Sequence, residues 1–581
     1  MKPSPAPTSS TILLAGSAAA AACATAVVLL RKVFAKKAVS IIPPGQEDPT
    51  IHPTTHSKDH HDNDDYYDII IVGAGPAGST ASYYLGHAQK GLKILLRERK
   101  AFPRVKYCGD AWCSQALDIL EDMQYRDDDN NNNTGGQVKP ILRYLEDTHQ
   151  CRPVQRGGFV SPFGYQCINM GDQTYGSVAQ VRTYAMKRVI VDEIMARAAA
   201  QQSGVTLREN ANVQVDQVQF NTTEKYWTVP IQQQQQGNGN TTTTKTNIVR
   251  GKVLVAADGA TSYLARHLNL VTQDADVVCS HRYVVGKADQ PGAKQHNFTA
   301  DGVMFFNKSV LPGYSALFKH CNNDTYLGTY ILPGGKATSR CIAGFEQELV
   351  NRHPYVRAAF GGGGKEDAKD ESSSQEDVYA KTQWRNDLSQ GENGKIKTAP
   401  IRCGGEEKTY GDHLIVIGDA AGQVDPMTGE GIHTAMVAAK ISAETILEMF
   451  EARNFSEEAT CIYHQRWRNA FGKDFPWSAL GAKLIYQFPI LLDAACAYGQ
   501  ECGGQTFLDE FGLIMTGVKP KSDFLQLKLA LPVALYLMRE IVVQKFLRRP
   551  PLIPQDIGQA LVDKHYQASQ KQKSASKLNP Q

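Results

Sequence analysis

The stretch Asp68 to Val72, β-branched and apolar after its aspartate, runs straight into Gly73-Ala74-Gly75-Pro76-Ala77-Gly78. No other feature limits the fold as much. Glycines at this spacing between a strand and a helix require a tight turn and a backbone open to close approach. Ala81 to Lys90 has helix-forming character and Lys93 to Leu96 resumes an apolar run, so the segment reads as a βαβ unit. The helix N-terminus of such a unit offers free N–H groups to a pyrophosphate. Glu98, twenty residues past Gly78 at the end of the second strand, is placed to accept hydrogen bonds from ribose hydroxyls. A tight turn without a ligand explains the glycines alone but not the acid after them.

Val253 to Ala257 and Leu414 to Ile417 are two further short apolar runs, each ending in a turn that holds Asp and Gly. Short buried strands that end at ligand-facing loops predict a doubly wound sheet. Asp301 to Pro333, rich in Phe, Tyr and Gly, predicts a separate antiparallel sheet, and after Ser456 the sequence turns mainly helical. The expected order is a Rossmann-like, three-layer α/β domain over 67–455 with a substrate sheet at about 270–400 inside it. A helical region over 456–550 and a tail over 551–581 follow. Polar low-complexity islands at 126–136, 232–245 and 361–377 are expected as surface insertions.

The nature of the nucleotide is carried by later motifs. Gly418-Asp419-Ala420-Ala421-Gly422, followed by Pro426, Gly429, Gly431 and a helix from about Glu430, resembles the second FAD motif of the para-hydroxybenzoate hydroxylase superfamily. The resemblance implies that Asp419 holds the ribityl chain and that the helix N-terminus faces the flavin. Ala257-Asp258-Gly259-Ala260-Thr261-Ser262 with Arg266 is similar to the same superfamily's Asp-Gly motif beside the pyrophosphate.

Phe102-Pro103-Arg104-Val105-Lys106-Tyr107-Cys108-Gly109-Asp110, together with Asp68 to Ser79, resembles the geranylgeranyl reductase family of flavoproteins. Arg188 to Asp192, Pro312-Gly313-Tyr314, Gly429-Glu430-Gly431-Ile432 and Phe507 to Phe524 extend the match across most of 67–547. The resemblance implies FAD as cofactor, with NADPH or another reductant as electron donor, and reduction of isoprenoid C=C bonds. It places Cys108, Gly109 and Asp110 beside the isoalloxazine and Arg188 near the phosphates or ribityl chain. Arg104, Lys106, Gly418 and Ile432 join the cofactor set. Cys108 is the candidate for tuning the flavin or relaying a proton, the alternative being simple packing. Tyr314 is the second catalytic candidate, the alternative being core. Where family members often show an aromatic and a Pro after Pro-Gly-Tyr, this chain reads Ser315 to His320, so the pocket's shape near Tyr314 is its own.

Thr11 to Leu30 is an uncharged run of 20 residues followed by Arg31, Lys32, Lys36 and Lys37. That length and flank predict a membrane anchor over 1–37 with the catalytic domain on the cytosolic side, at the endoplasmic reticulum or an organelle. A cleaved signal or a plastid presequence fits the same residues. A polar linker over 38–66 follows. The apolar run Leu529 to Met538, interrupted by Pro532 and flanked by basic residues, reads as an interfacial or a core helix. With a formal charge of +3 over 581 residues there is no electrostatic case for nucleic acid. The 12 cysteines form no CxxC pair, so neither an iron–sulfur centre nor a structural zinc is expected, and no metal. The main rival activity is a flavin monooxygenase, which shares all three FAD motifs. A prenyl-binding escort on a related fold is the non-enzymatic alternative.

Overall fold

The structure, a computed structural model, describes residues 65–127, 137–170, 183–236, 242–272, 277–284, 300–332, 335–361, 377–385 and 395–578. The expected anchor over 1–37, its transmembrane helix, the linker as far as residue 64 and most of the insertions at 126–136 and 361–377 lie outside these residues.

Tyr66–Val72 lies inside the first sheet, paired in parallel with Ile94–Arg97 on one side and with the end of Thr242–Ala256 on the other. Val205–Arg208 and Leu414–Val416 extend the two flanks, again in parallel. A strand in such a sheet is covered on both faces, which is why Ile69, Ile70, Ile71 and Val72 are all buried and show no polar alternation. Thr242–Ala256 does two jobs. Its first part forms a long hairpin with Tyr226–Gln236, and Gln232 to Gln236 pair with Thr246 to Thr242 within it. Part of the 232–245 island, expected as an insertion, is therefore strand, because ladder hydrogen bonds belong to the backbone and tolerate a polar low-complexity sequence.

One face of this sheet carries Pro76–His87, Ser114–Asp122, Arg188–Ala200 and Ile432–Ala452. Pro76 at the first turn has the φ a helix start needs and gives up an N–H that would have no partner there. Trp227, Val229, Val249 and Leu264 close the opposite face. Three layers result.

The second sheet runs in the order Trp384–Arg385, Val277–Val284, Thr325–Ile331, Gly313–Lys319, Gly302–Phe305, Arg156–Val160, Gln166–Met170, and Lys397–Ile401 also pairs with Val277–Val284. All neighbours are antiparallel except Gly302–Phe305 and Arg156–Val160. The sheet expected from about 270–400 thus also draws on 156–170, upstream in the chain. Arg156-Gly157-Gly158-Phe159-Val160 has no alternation to betray it, and its partner strand arrives only after the chain has returned through the first sheet. Phe159, Tyr314, Tyr326 and Tyr330 cover one side of this sheet and pack with Leu492, Phe507, Phe511 and Leu529 of the C-terminal helices. Among the described residues no single helix is long and apolar enough to cross a membrane. Gly472–Gln487 and Ile490–Gly503, bent by 98°, meet that length and composition only as a pair.

Candidate functional site

Where the two sheets meet, a cavity of about 910 Å³ runs from the first glycines to the second sheet. Its volume lies near the top of the range of about 300–1,000 Å³ usual for ligand pockets. Gly73, with φ +112°, stands where a Cβ would come within 2.3 Å of the Ala257 carbonyl, so this position must be glycine. Gly78 is equally constrained, 1.8 Å from the Gly73 carbonyl by the same construction. Gly75 instead faces the cavity, with nothing nearer to its Cβ position than Arg104 Nη2 at 3.7 Å. Two glycines therefore allow backbone packing and the third leaves room for a ligand.

Arg104 ties the cradle to what lies behind it. Nη2 donates to the Ala74 carbonyl at 3.2 Å, Nε lies 3.0 Å from Glu98 Oε2 and Nη1 lies 3.1 Å from Asp192 Oδ2. Asp192 also receives Nε and Nη2 of Arg188 at 2.6 and 2.9 Å. Burial works against charge on Arg188, but Asp192 and the Cys108 sulfur outweigh it and hold the guanidinium protonated. Asp192 in turn stays well inside the carboxylate range against its own burial, because Arg188 and Arg104 face it. The expected Arg-x-x-x-Asp pattern is thus a buried charge bridge linking Arg188 to Arg104. Lys106 and Arg266 add positive charge to the wall, which suits a pyrophosphate.

At the far end of the signature, Gly418 packs against the first helix, where a Cβ added to it would come within 2.9 Å of Ala77 Cβ. Asp419 Oδ1 lies 3.3 Å from the Cβ position of Gly431, so the acid and the glycine loop line one stretch of wall. Gly429 has nothing nearer than 3.8 Å to its Cβ position. Open glycines, an acid at each end and a cationic wall fit a flavin dinucleotide. Arg402 holds this part in shape. Its Nε donates to Ala260 O, Nη2 to Ala420 O and Asp419 O, and Nη1 pairs with Glu406. One buried side chain thereby fastens the Asp258 loop to the Asp419 loop. Nothing local marks Arg402 in the sequence.

The cavity lining includes Gly73, Gly75, Glu98, Arg104, Lys106, Cys108, Gly109, Arg188, Asp258, Asp419, Gly429, Gly431 and Ile432. Gly78, Gly418, Asp110 and Tyr314 do not line it. Asp110, fully buried with φ +57°, turns away from the cavity, accepting the Arg188 N–H at 3.3 Å and lying 3.7 Å from His320 Nε2. Tyr314 donates to the Thr428 carbonyl beneath the glycine loop and stacks on Tyr330 at 4.7 Å, so it is core that supports the wall. Of Tyr314's two alternatives the structure shows core, and the ring that lines the cavity is that of Tyr330, on the neighbouring strand. A Cβ on Gly109 would come within 2.1 Å of the Tyr330 hydroxyl, which sets that hydroxyl beside the Cys108-Gly109 turn. Cys279 lines the same wall, and burial pushes its thiol up to about 12. Burial likewise raises the Tyr330 phenol well above its ordinary range. Both hydrogens stay in place at neutral pH.

Behind the glycine loop, Cys113, Glu430 and His433 bring ligand-type atoms within 4.8 Å of one another, a grouping that no spacing in the sequence signals. The Lys521 ammonium acts on Glu430 and His433 alike, which disfavours a second cation there. Burial raises Glu430 to about 7 and lowers His433 to about 4.

A protein-family model described as FAD binding domain matches residues 66–451. Conditioned medium factor receptor 1 of Dictyostelium discoideum is 33% identical over 465 residues, covering 79% of this chain and 78% of that protein. Digeranylgeranylglycerophospholipid reductase of Methanocaldococcus jannaschii is 26% identical over 408 residues, covering 69% and 82%. Among solved structures, a geranylgeranyl bacteriochlorophyll reductase-like protein from Thermoplasma acidophilum aligns with a TM-score of 0.53 at 16% identity, covering 79% of this chain and 98% of its own. A p-nitrophenol 4-monooxygenase from Pseudomonas putida aligns with a TM-score of 0.54 at 14% identity, covering 78% and 99%. At such identities the two structures share the fold and no more.

Proposed function

This chain belongs to the FAD binding domain family of flavin-dependent oxidoreductases, and from that premise we propose that it reduces carbon–carbon double bonds in an isoprenoid lipid. The observation that carries the reading is the Cys108-Gly109 turn on the cavity wall, with the Tyr330 hydroxyl against it and the glycine cradle in the same cavity. A reductase relative that acts on digeranylgeranylglycerophospholipid supports it. The hydride would come from FAD held by these residues, with NADPH or another reductant as the source of its electrons.

The chain's own residues then have three tasks. Gly73, Gly75, Arg104 and Lys106 bind the phosphates, while Glu98 and Asp419 orient the two ends of the dinucleotide. Phe159, Phe507 and Phe511 and their neighbours keep water from the region beyond Tyr330. An isolated alkene accepts hydride only if a proton reaches the other carbon, and Cys108 Sγ and Tyr330 Oη are the wall atoms placed to hold and give that proton. On this reading, Thr11 to Leu30 anchors the enzyme at a membrane where such a lipid resides.

The receptor name of the Dictyostelium relative favours a second reading, binding without turnover. One experiment separates the readings. The full chain is reduced without oxygen, given a geranylgeranyl-ether lipid, and the product is weighed. A gain of two hydrogens per bond is expected, and Cys108→Ser is expected to keep the flavin and lose that gain. A product formed only with oxygen and heavier by one oxygen atom points to a monooxygenase. Lipid that binds and returns unchanged points to a receptor.

A further inference from the structure

Leu527–Ile541 is apolar on two opposite faces. Leu529, Val533, Tyr536 and Glu540, three or four residues apart, turn inward: Leu529 and Glu540 are buried, Val533 and Tyr536 pack on the core, and Glu540 accepts the Tyr165 hydroxyl at 3.1 Å. Leu527, Leu531 and Leu535 form the outer stripe at the same helical period, and the wide turn Val542–Phe546 continues it with Val542 and Phe546. Leu527 is 74% exposed, Phe546 77% and Leu547 70%, far more than isolated surface leucines and phenylalanines need. Lys545, Arg548 and Arg549 beside the stripe are exposed and form no ion pair among the described residues. The one carboxylate between Leu527 and Leu552 is Glu540, and it is buried. Two carboxylates from neighbouring helices border the stripe, Glu510 paired with Lys528 and Glu501 with Arg539, which leaves Lys545, Arg548 and Arg549 as the uncompensated charge beside the apolar side chains.

We propose that the outer face of Leu527–Ile541, with Phe546, Leu547, Lys545, Arg548 and Arg549, docks on an anionic lipid surface. The charge selects this occupant. A second copy would bring the same three cations again and no free carboxylate of this stretch to balance them. The chain's own run Thr11 to Leu30 is uncharged and followed by Arg31, Lys32, Lys36 and Lys37, so it would bring more of the same sign. A bilayer with anionic headgroups meets both demands, taking the apolar side chains into the acyl boundary and the cations at the headgroups. The inner face of the same helix belongs to the hydrophobic cluster that also holds Tyr330. This surface stands apart from the proposed reaction, because its test reads position rather than turnover.

The test uses the full chain carrying Leu531→Trp, Phe546→Trp or, as a distant control on the first sheet, Ile248→Trp, each at an exposed site. Each is added to vesicles whose acyl chains bear bromine, with phosphatidylserine or with phosphatidylcholine alone. The added emission of Leu531→Trp and Phe546→Trp is expected to be quenched in phosphatidylserine vesicles several-fold more than that of Ile248→Trp. An N-terminal attachment alone does not produce that difference. Each cation contributes about fivefold to binding at an anionic surface, so removing Lys545, Arg548 and Arg549 weakens the contact on the order of a hundredfold and returns the quenching to the control level. Equal quenching at all three positions overturns the proposal. So does an emission from Leu531→Trp that is already shielded without lipid and becomes exposed on dilution or on deletion of residues 1–37, since a second copy or the N-terminal segment would then be the occupant.

Discussion

Gly109→Ala tests whether the Cys108 turn and Tyr330 form one wall. The added Cβ would lie 2.1 Å from Tyr330 Oη and 3.3 Å from Cζ. The ring cannot swing clear, being buried and stacked on Tyr314 at 4.7 Å. A clash of more than 1 Å against a fixed ring is overpacking, which costs about 1–3 kcal/mol. In Tyr330→Phe the offending oxygen is gone and the nearest atom stands at 3.3 Å, a tight contact that a shift of a few tenths of an ångström relieves. The double variant is therefore expected to recover about 1–2 kcal/mol relative to the sum of the single ones. A double-mutant cycle in chemical denaturation, followed by release of flavin fluorescence, measures this. Additivity to within about 0.5 kcal/mol would show that the hydroxyl does not stand against Gly109 and would refute the wall.

Arg402→Ala is expected to leave Glu406 buried and uncompensated and to free both cofactor loops. The expected loss is about 3–5 kcal/mol of stability together with most FAD affinity, read by equilibrium dialysis against FAD. Asp419→Ala, by contrast, is expected to weaken FAD binding while the apoprotein melts within about 1 kcal/mol of wild type, because the lost carboxylate lines the cavity rather than the core. The fourth prediction concerns pH. Glu430 sits at about 7 against its ordinary 4.5, so its stabilising contribution, roughly 3 kcal/mol, is full below about 4.5 and is lost as pH rises through 7. His433 sits at about 4 against 6.5, so its contribution is full above about 6.5 and is lost as pH falls through 4. With Lys521, Asp425 and Cys113 common neighbours, the two slopes oppose each other between about 4.5 and 6.5. Glu430→Gln removes one of them, and its denaturation midpoint is expected to rise with pH across that window more steeply than in wild type; identical profiles would contradict the assignment.

What the sequence made legible was local. Gly73, Glu98, Asp258 and Asp419 each stand next to a strand end, so a few neighbouring residues suffice to place them on the cavity. Where a contact joins distant segments, the pattern is silent. Arg402 acts on carbonyls at 260, 419 and 420 and looks like any lone arginine in a strand-end loop. Arg156–Val160 enters the second sheet beside a strand that comes some 140 residues later in the chain. The resemblance to Pro-Gly-Tyr points to Tyr314, yet pairing places Tyr330 directly across from it on the adjacent strand, and it is Tyr330 that lines the cavity. Asp110 shares a motif with Cys108 and Gly109, but its positive φ turns it inward, and such a turn is invisible in residue type.

The most direct test of the central claim is the absorbance of the reduced flavin in the full-length protein, held without oxygen, on adding a geranylgeranyl-ether lipid. The oxidised-flavin band is expected to return in proportion to the double bonds lost from the lipid. A flavin that stays bleached until oxygen is admitted, with every double bond intact, would contradict that claim.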